Sequence, residues 1–201
     1  MESLPEGSVS KASSEAQIFR MLLRTHAASE LGKRGHHIEA GLIRYQLPPL
    51  SVDKYQIVEY SEVEQVFSRL VTEFDALYGG DIASRLHDWP TSMSAVEAFT
   101  IGVMQHILAG GRLEWGRVIA VSSFLTHVAI CCSEHGMADQ IGPLIDHAVR
   151  FTNESLMEFV HLHGGWTAFA QAFRSRRRET TTASSLGALS MGITTAICAI
   201  L

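Results

Sequence analysis

Between Gly116 and Cys132 the chain is apolar on nearly every side of a helix. A helix without a polar face has two destinations, a bilayer or the centre of a helical bundle. The stretch from Val118 to Cys132 is only 15 residues long and includes Ser122, Ser123 and His127. That is short for a span, which takes about 20 apolar residues. The segment therefore reads as a central core helix, and such a helix requires a coat of amphipathic helices around it.

The rest of the chain supplies that coat. Ser14-x-x-Gln17 reads as a capping box that opens a helix over 14–31, with Ile18, Met21, Leu22 and Thr25 at helical spacing. Gly32 and Gly35 close it, and residues 32–60, with their histidines and Pro48-Pro49, read as a long connection. Val63, Phe67, Leu70, Phe74, Leu77 and Tyr78 form one apolar stripe of a second helix, which Gly79-Gly80-Asp81 is expected to break before a turn at Ile82–Leu86. Ser94-x-x-Glu97 is a second capping box, and a helix runs from it to about Ala109 with Val96, Phe99, Val103, Met104 and Ile107 inside. Beyond the core helix come a helix over about 138–158, a short one to His163 and a last one starting at Gly164. No long run alternates in the manner of a strand, so the fold class is all-α, a bundle occupying 14–173 behind a flexible lead over 1–13.

The C-terminal stretch has a different character. Arg174, Arg176, Arg177 and Arg178 stand before an uncharged run from Thr180 to Leu201. Cations that stay with the cytosolic headgroups, followed by an apolar tail, are what a tail anchor needs. Residues 174–183 therefore read as a basic linker and 184–201 as a C-terminal transmembrane helix. A buried or interfacial terminal helix is the competing reading. The 46% hydrophobic content suits a globular domain carrying such a segment, and a net charge of −5 with 18% charged residues argues against nucleic acid as a partner. Cys131, Cys132 and Cys198 match neither a disulfide framework nor a zinc site, which suggests a reducing compartment.

Catalytic motifs are missing from the sequence: there is no H-E-x-x-H, G-x-S-x-G, Walker loop or G-x-G-x-x-G. The ten histidines have no ligand-like spacing, and His161 and His163 would point to different helix faces. The chain is read as a non-enzyme, with no metal and no cofactor. Arg117 is the residue that stands out. It sits in the first turn of the core helix, where the helix dipole disfavours a cation, next to residues built for burial. It pairs either with an internal carboxylate such as Asp75 or Asp81, or with a carboxylate on a partner, which a guanidinium fork grips directionally.

The run Gly111 to Ala120 resembles the first homology motif of the Bcl-2 family, with Gly111, Trp115, Gly116 and Arg117 matching and Gly110 and Glu114 in place of the usual Asp and Asn. The run Phe159 to Phe169 resembles the second motif through Gly164, Gly165, Trp166 and Phe169, with Phe159 where Trp is usual. The stripe at 63–78 falls where the third homology (BH3) helix belongs, but Val71 and Thr72 replace its central Gly-Asp. The resemblance spans roughly 60–201.

That resemblance implies a Bcl-2-like bundle with a hydrophobic surface groove that captures BH3 helices of pro-apoptotic relatives, the helix-in-groove mode. By position, Phe74, Tyr78, Ile82, Val103 and Ile107 would line the groove, Gly116 would let a partner backbone approach, Val118 and Phe124 would form the floor, and Arg117 would meet the partner's Asp. It also implies an apoptosis regulator that homo- or hetero-dimerises and is tail-anchored in the mitochondrial outer membrane, with the endoplasmic reticulum as the alternative. A killer of this family must expose its own third helix and insert it into a relative. Val71 adds bulk and Thr72 removes the charge needed for that, so the expectation is a pro-survival protein; the alternatives are a pore-forming killer and a membrane-anchored helical scaffold.

Overall fold

The computed structural model describes residues 6–45, 54–109 and 113–174. They form eight α-helices: α1 (Glu6–Lys33), α2 (His37–Tyr45), α3 (Lys54–Arg85), α4 (Met93–Ala109), α5 (Trp115–Glu134), α6 (Ile141–Thr152), α7 (Glu158–Leu162) and α8 (Gly165–Arg174). A 3-10 turn at Ala138–Gln140 precedes α6, and a π-helical segment at Asn153–Met157 joins it to α7. Gly111, the linker beyond Arg174 and the anchor at 184–201 lie outside the described residues.

Helix α5 is the centre. By length and composition it could cross a bilayer, yet 94% of its most apolar window is buried inside the protein. It packs against α1, α3, α4 and α6. Two of its hydroxyls meet their own helix: Ser122 Oγ donates to the Val118 carbonyl at 2.6 Å and Thr126 Oγ1 to that of Ser122 at 2.9 Å, which removes the penalty of burying them unpaired. Gly136, at φ +73°, ends the helix. The Gly136 N–H bonds the Ser133 carbonyl and the Met137 N–H that of Cys132, the paired bonds of a Schellman closure. Burial pushes the Cys131 and Cys132 thiols up, to about 11 and about 12, so both remain protonated at neutral pH.

The coat differs from the sequence reading in several places. Helix α1 starts at Glu6, so part of the expected lead over 1–13 is helical and the Ser14 capping box lies within the helix. Gly32 is also internal; the Schellman turn is at Gly35, φ +90°, with the His36 N–H on the Leu31 carbonyl at 3.0 Å. The expected connection over 32–60 holds α2 and the start of α3; α2 forms because Ala40 and Ile43, three apart, reach the core. Helix α4 is capped by Ser92, not Ser94: Ser92 Oγ accepts the Ala95 N–H at 3.4 Å.

One further difference matters for the site. Helix α3 runs unbroken through Gly79-Gly80-Asp81. Each mid-helix glycine costs roughly 1 kcal/mol against alanine, and burial of Ile82 and Leu86 on the far side offsets it. Gly79 has a packing reason: a Cβ there would lie 3.3 Å from His127 Nε2 on α5. Gly80 faces open space. Gly80→Ala should therefore stabilise the fold by about 0.5–1 kcal/mol, while Gly79→Ala gains less or nothing; urea unfolding of both variants measures the difference.

Candidate helix-binding groove

The two tryptophan motifs, far apart in sequence, meet in space. Trp115 at the start of α5 lies 6.1 Å, ring centre to ring centre, from Trp166 on α8, and Phe159 and Phe169 pack on Trp115 at 5.2 and 5.0 Å. Phe19 of α1 stacks on Trp166 at 5.6 Å, and the indole Nε1–H donates to the Glu15 carbonyl at 3.1 Å. The glycines make this corner possible. Gly164 and Gly165 have φ of +87° and +72°, left-handed values that other residues adopt at a cost. A Cβ on Gly165 would also fall 2.7 Å from Glu15 Oε1. The α1–α8 junction so anchors the N-terminal end of α5.

Helices α3 and α4 both pack on α5 but, among the described residues, hardly on each other. A groove between them would have α3 and α4 as walls and α5 as floor. Of the residues expected to line it, Phe74, Ile82, Ile107, Gly116, Val118 and Phe124 are buried, and Tyr78 and Val103 are half-exposed. Phe74 packs on Tyr78 at 4.9 Å. Phe124 supports Phe99 of α4 at 6.2 Å; Phe99 is half-exposed and was read from sequence as interior. Leu77 is a second addition. Three residues after Phe74, it shares that side of α3 and is 56% exposed. Helix α8 packs on α3, with Arg174 pairing with Glu62 at 2.7 Å and Arg69 donating to the Phe173 carbonyl at 3.1 Å. The periodic stripe contains Leu77, but only the tertiary structure shows that it is exposed.

Arg117 is 2% exposed. One of its internal partners is the Ile107 carbonyl, to which Nη1 donates. Ile107 is in the last turn of α4, whose carbonyls lack helical partners and whose dipole favours a cation. The guanidinium thus ties α4 to α5 at one end of such a groove. The two internal carboxylates considered from sequence have other settings. Asp75 accepts the Ser123 hydroxyl and lies 3.5 Å from His127 Nε2, and Asp81 is exposed. Glu114 is the N-cap of α5, but its side chain makes no capping bond, as expected where Glu replaces Asn. On α3, Val71 is fully buried, while Thr72 is exposed and its hydroxyl turns back to the Ser68 carbonyl at 2.8 Å. Among the described residues no three His, Cys, Asp or Glu side chains are placed to hold a metal ion.

Comparison with known proteins gives a consistent picture. The family model for apoptosis regulator proteins of the Bcl-2 family matches residues 61–166. Apoptosis regulator R11 of Xenopus laevis is 29% identical over 116 residues, 56% of this chain. The chain spans about half of that relative, 54% of its length. Among solved structures, chicken BOK has a TM-score of 0.64 at 19% identity, covering 80% of this chain and 97% of its own. Trichoplax adhaerens trBcl-2L2 bound to trBak BH3 has 0.64 at 15% identity, covering 79% and 99%. Schistosome BCL-2 bound to ABT-737 has 0.63 at 22% identity, covering 80% and 97%. At these identities the solved structures establish the shared fold.

Glu15 offers a test of the corner. Burial pushes its carboxyl above the ordinary 4.5, while the His161 charge and the Trp166 backbone N–H pull it back. Its folded pKa exceeds its unfolded one, so its contribution to stability is full below about 4.5 and is lost as pH rises through the folded value. Glu15→Gln keeps an acceptor for the Trp166 N–H and removes this dependence. Thermal unfolding across pH should show wild type losing stability relative to the variant as pH rises above about 4.5.

Proposed function

The chain belongs to the Bcl-2 family of apoptosis regulators, and from that premise we propose that it is a pro-survival member that sequesters BH3 helices of pro-death relatives in a groove between α3 and α4. The carrying observation is that, among the described residues, α3 and α4 both pack on α5 with little contact between them, while Leu77, Tyr78, Phe99 and Val103 are incompletely buried and Phe124 is buried. An amphipathic helix seats its apolar positions on such a strip. In support, a protein of the same fold was solved with a BH3 segment bound. Arg117, at one end of the strip, would exchange or share its α4 carbonyl with the partner's Asp, an ion pair with a carboxylate in place of a bond to an uncharged carbonyl.

The pro-survival assignment rests on α3 as a poor ligand. Val71 is buried where the family's BH3 motif has Gly, and Thr72 brings no charge where it has Asp. Overfilling a tight helix contact and losing a fork-type ion pair each cost about 1–3 kcal/mol. We assign the region beyond Arg174 the role of anchor, with the mitochondrial outer membrane as its destination, the endoplasmic reticulum as the second candidate, and homo- or hetero-dimers forming there. One observation favours a pore-forming role instead: α5 by itself is long and apolar enough to cross a bilayer. Dye release from liposomes by the activated protein distinguishes that role.

Titration of labelled BH3 peptides against the full chain tests the proposal. Peptides should bind well below ~100 μM, and affinity weaker than that overturns it. Because Arg117 also secures α4, its own variant conflates two losses. A double-mutant cycle pairing Arg117→Ala with Asp→Asn in the peptide isolates the contact, with a coupling of about 1.5–3 kcal/mol expected. Peptide affinity equal in wild type and Gly116→Trp would indicate a scaffold without a working groove.

A further inference from the structure

Gly79-Gly80-Asp81 reads from sequence as a break, yet α3 runs on through it to Arg85. That continuation puts Asp81 in helical register with the residues assigned to the groove. It follows Leu77 by four residues and Tyr78 by three, spacings that share one side of a helix. Asp81 is exposed, and among the described residues no ion pair includes it. Arg85, one turn on, is also exposed and has an interaction of its own. The half-exposed α4 residues assigned to the groove, Phe99 and Val103, carry no charge.

The packing of α3 on α5 sets where Asp81 stands along the groove. Asp75 accepts the hydroxyl of Ser123, 48 residues on, and a Cβ on Gly79 would meet His127 at the same separation in sequence. The two helices therefore run side by side in the same direction, and Asp81 is level with about Ala129. Arg117 is about twelve residues back along α5, roughly 18 Å at 1.5 Å per residue. Helix α4 runs the other way, with the Ile107 carbonyl at Arg117 and Phe99 at Phe124. The groove thus has a cation at one end and an anion toward the other. His106, beside Ile107, belongs to the Arg117 end, where its Nδ1 lies 2.8 Å from the Gly102 carbonyl. The other acids on this part of α3 are engaged, Glu73 with Arg69 and Asp75 with Ser123.

Resting on the groove reading above, we propose that Asp81 selects the partner by charge. It favours amphipathic helices with a Lys or Arg about three turns from the Asp that meets Arg117, and disfavours those with an acid there. Residues about eleven apart return to the same face of a helix, so one partner presents both charges with its apolar positions between them. A carboxylate at the rim of an apolar strip loses water on one side when a helix docks. A cation on the partner offsets that loss, and an acid adds repulsion to it. The stem of a Lys or Arg lies along the apolar strip while its head reaches the carboxylate. The two charges also fix the partner's direction, because a reversed helix sets acid against Asp81 and cation against Arg117.

The test titrates the full chain with labelled BH3 peptides that carry Lys, Gln or Glu about eleven residues from their Asp, toward either end in turn. In one of the two placements wild type should bind the Lys peptide about fivefold more tightly than its Glu counterpart, the scale of one rim charge, with Gln between. The preference should fade as salt is raised to about 1 M, where a charge is felt over only about 3 Å. Asp81→Asn should abolish it and Asp81→Lys reverse it; both replace an exposed side chain and leave the core untouched. Glu158→Gln on α7 removes an exposed negative charge away from the groove and should leave the preference intact. Equal affinities for the Lys and Glu peptides in wild type, a preference that survives in Asp81→Asn, or one lost in Glu158→Gln each overturns the charge selection while the groove reading stands. If no peptide binds, the groove reading itself fails and this inference falls with it.

Discussion

The burial of α5 is the interaction on which the rest depends. Its side chains offer water no polar face, so it is stable only while α1, α3, α4 and α6 enclose it. Apolar burial of this kind is the dominant favourable term in folding. It also explains why weak local signals are overruled elsewhere. Two adjacent glycines do not stop α3 because Ile82 and Leu86 beyond them have places against the core. Ala40 and Ile43 draw a helix out of what reads locally as a connection.

The polar groups admitted to this core are few and located at joints. Ser122 and Thr126 on α5 are absorbed by their own helix. Those that reach another element do so where two helices must keep a fixed relation: Arg117 between α5 and α4, Asp75 with Ser123 and His127 between α3 and α5, Asp146 with Arg20 and Arg24 between α6 and α1. Unpartnered burial would cost more than the apolar surroundings return, so each such group constrains geometry as well as contributing energy. The groove walls are the helices held by the first two joints. The proposed groove is thus bordered by contacts that can be exchanged.

Much of this was legible beforehand, and the reasons differ by residue. The core helix followed from an apolar pattern that continues around all sides. Trp115, Gly116, Arg117, Gly164, Gly165 and Trp166 stood out because their motifs combine rare residue types at short spacing. The groove list was legible only in part. Phe74, Ile82 and Phe124 occur at positions where a lining residue and a core residue have the same side chain and the same period, so sequence cannot tell exposed from enclosed. Leu77 and Phe99 were apolar residues on expected helices, and what makes them surface is the absence of a neighbour over them.

The amino-acid order by itself determined the all-helical class, the identity of the central helix and the two motif corners, because periodicity and glycine conformation are local consequences of side-chain chemistry. Only the tertiary structure decided which faces stayed open, that Arg117 lies buried on an α4 carbonyl, and that Asp75 meets Ser123 and His127. Those are distances between residues remote in the chain, set by how the helices share the space around α5. No local rule encodes a neighbour that arrives 48 residues later, as Ser123 does for Asp75.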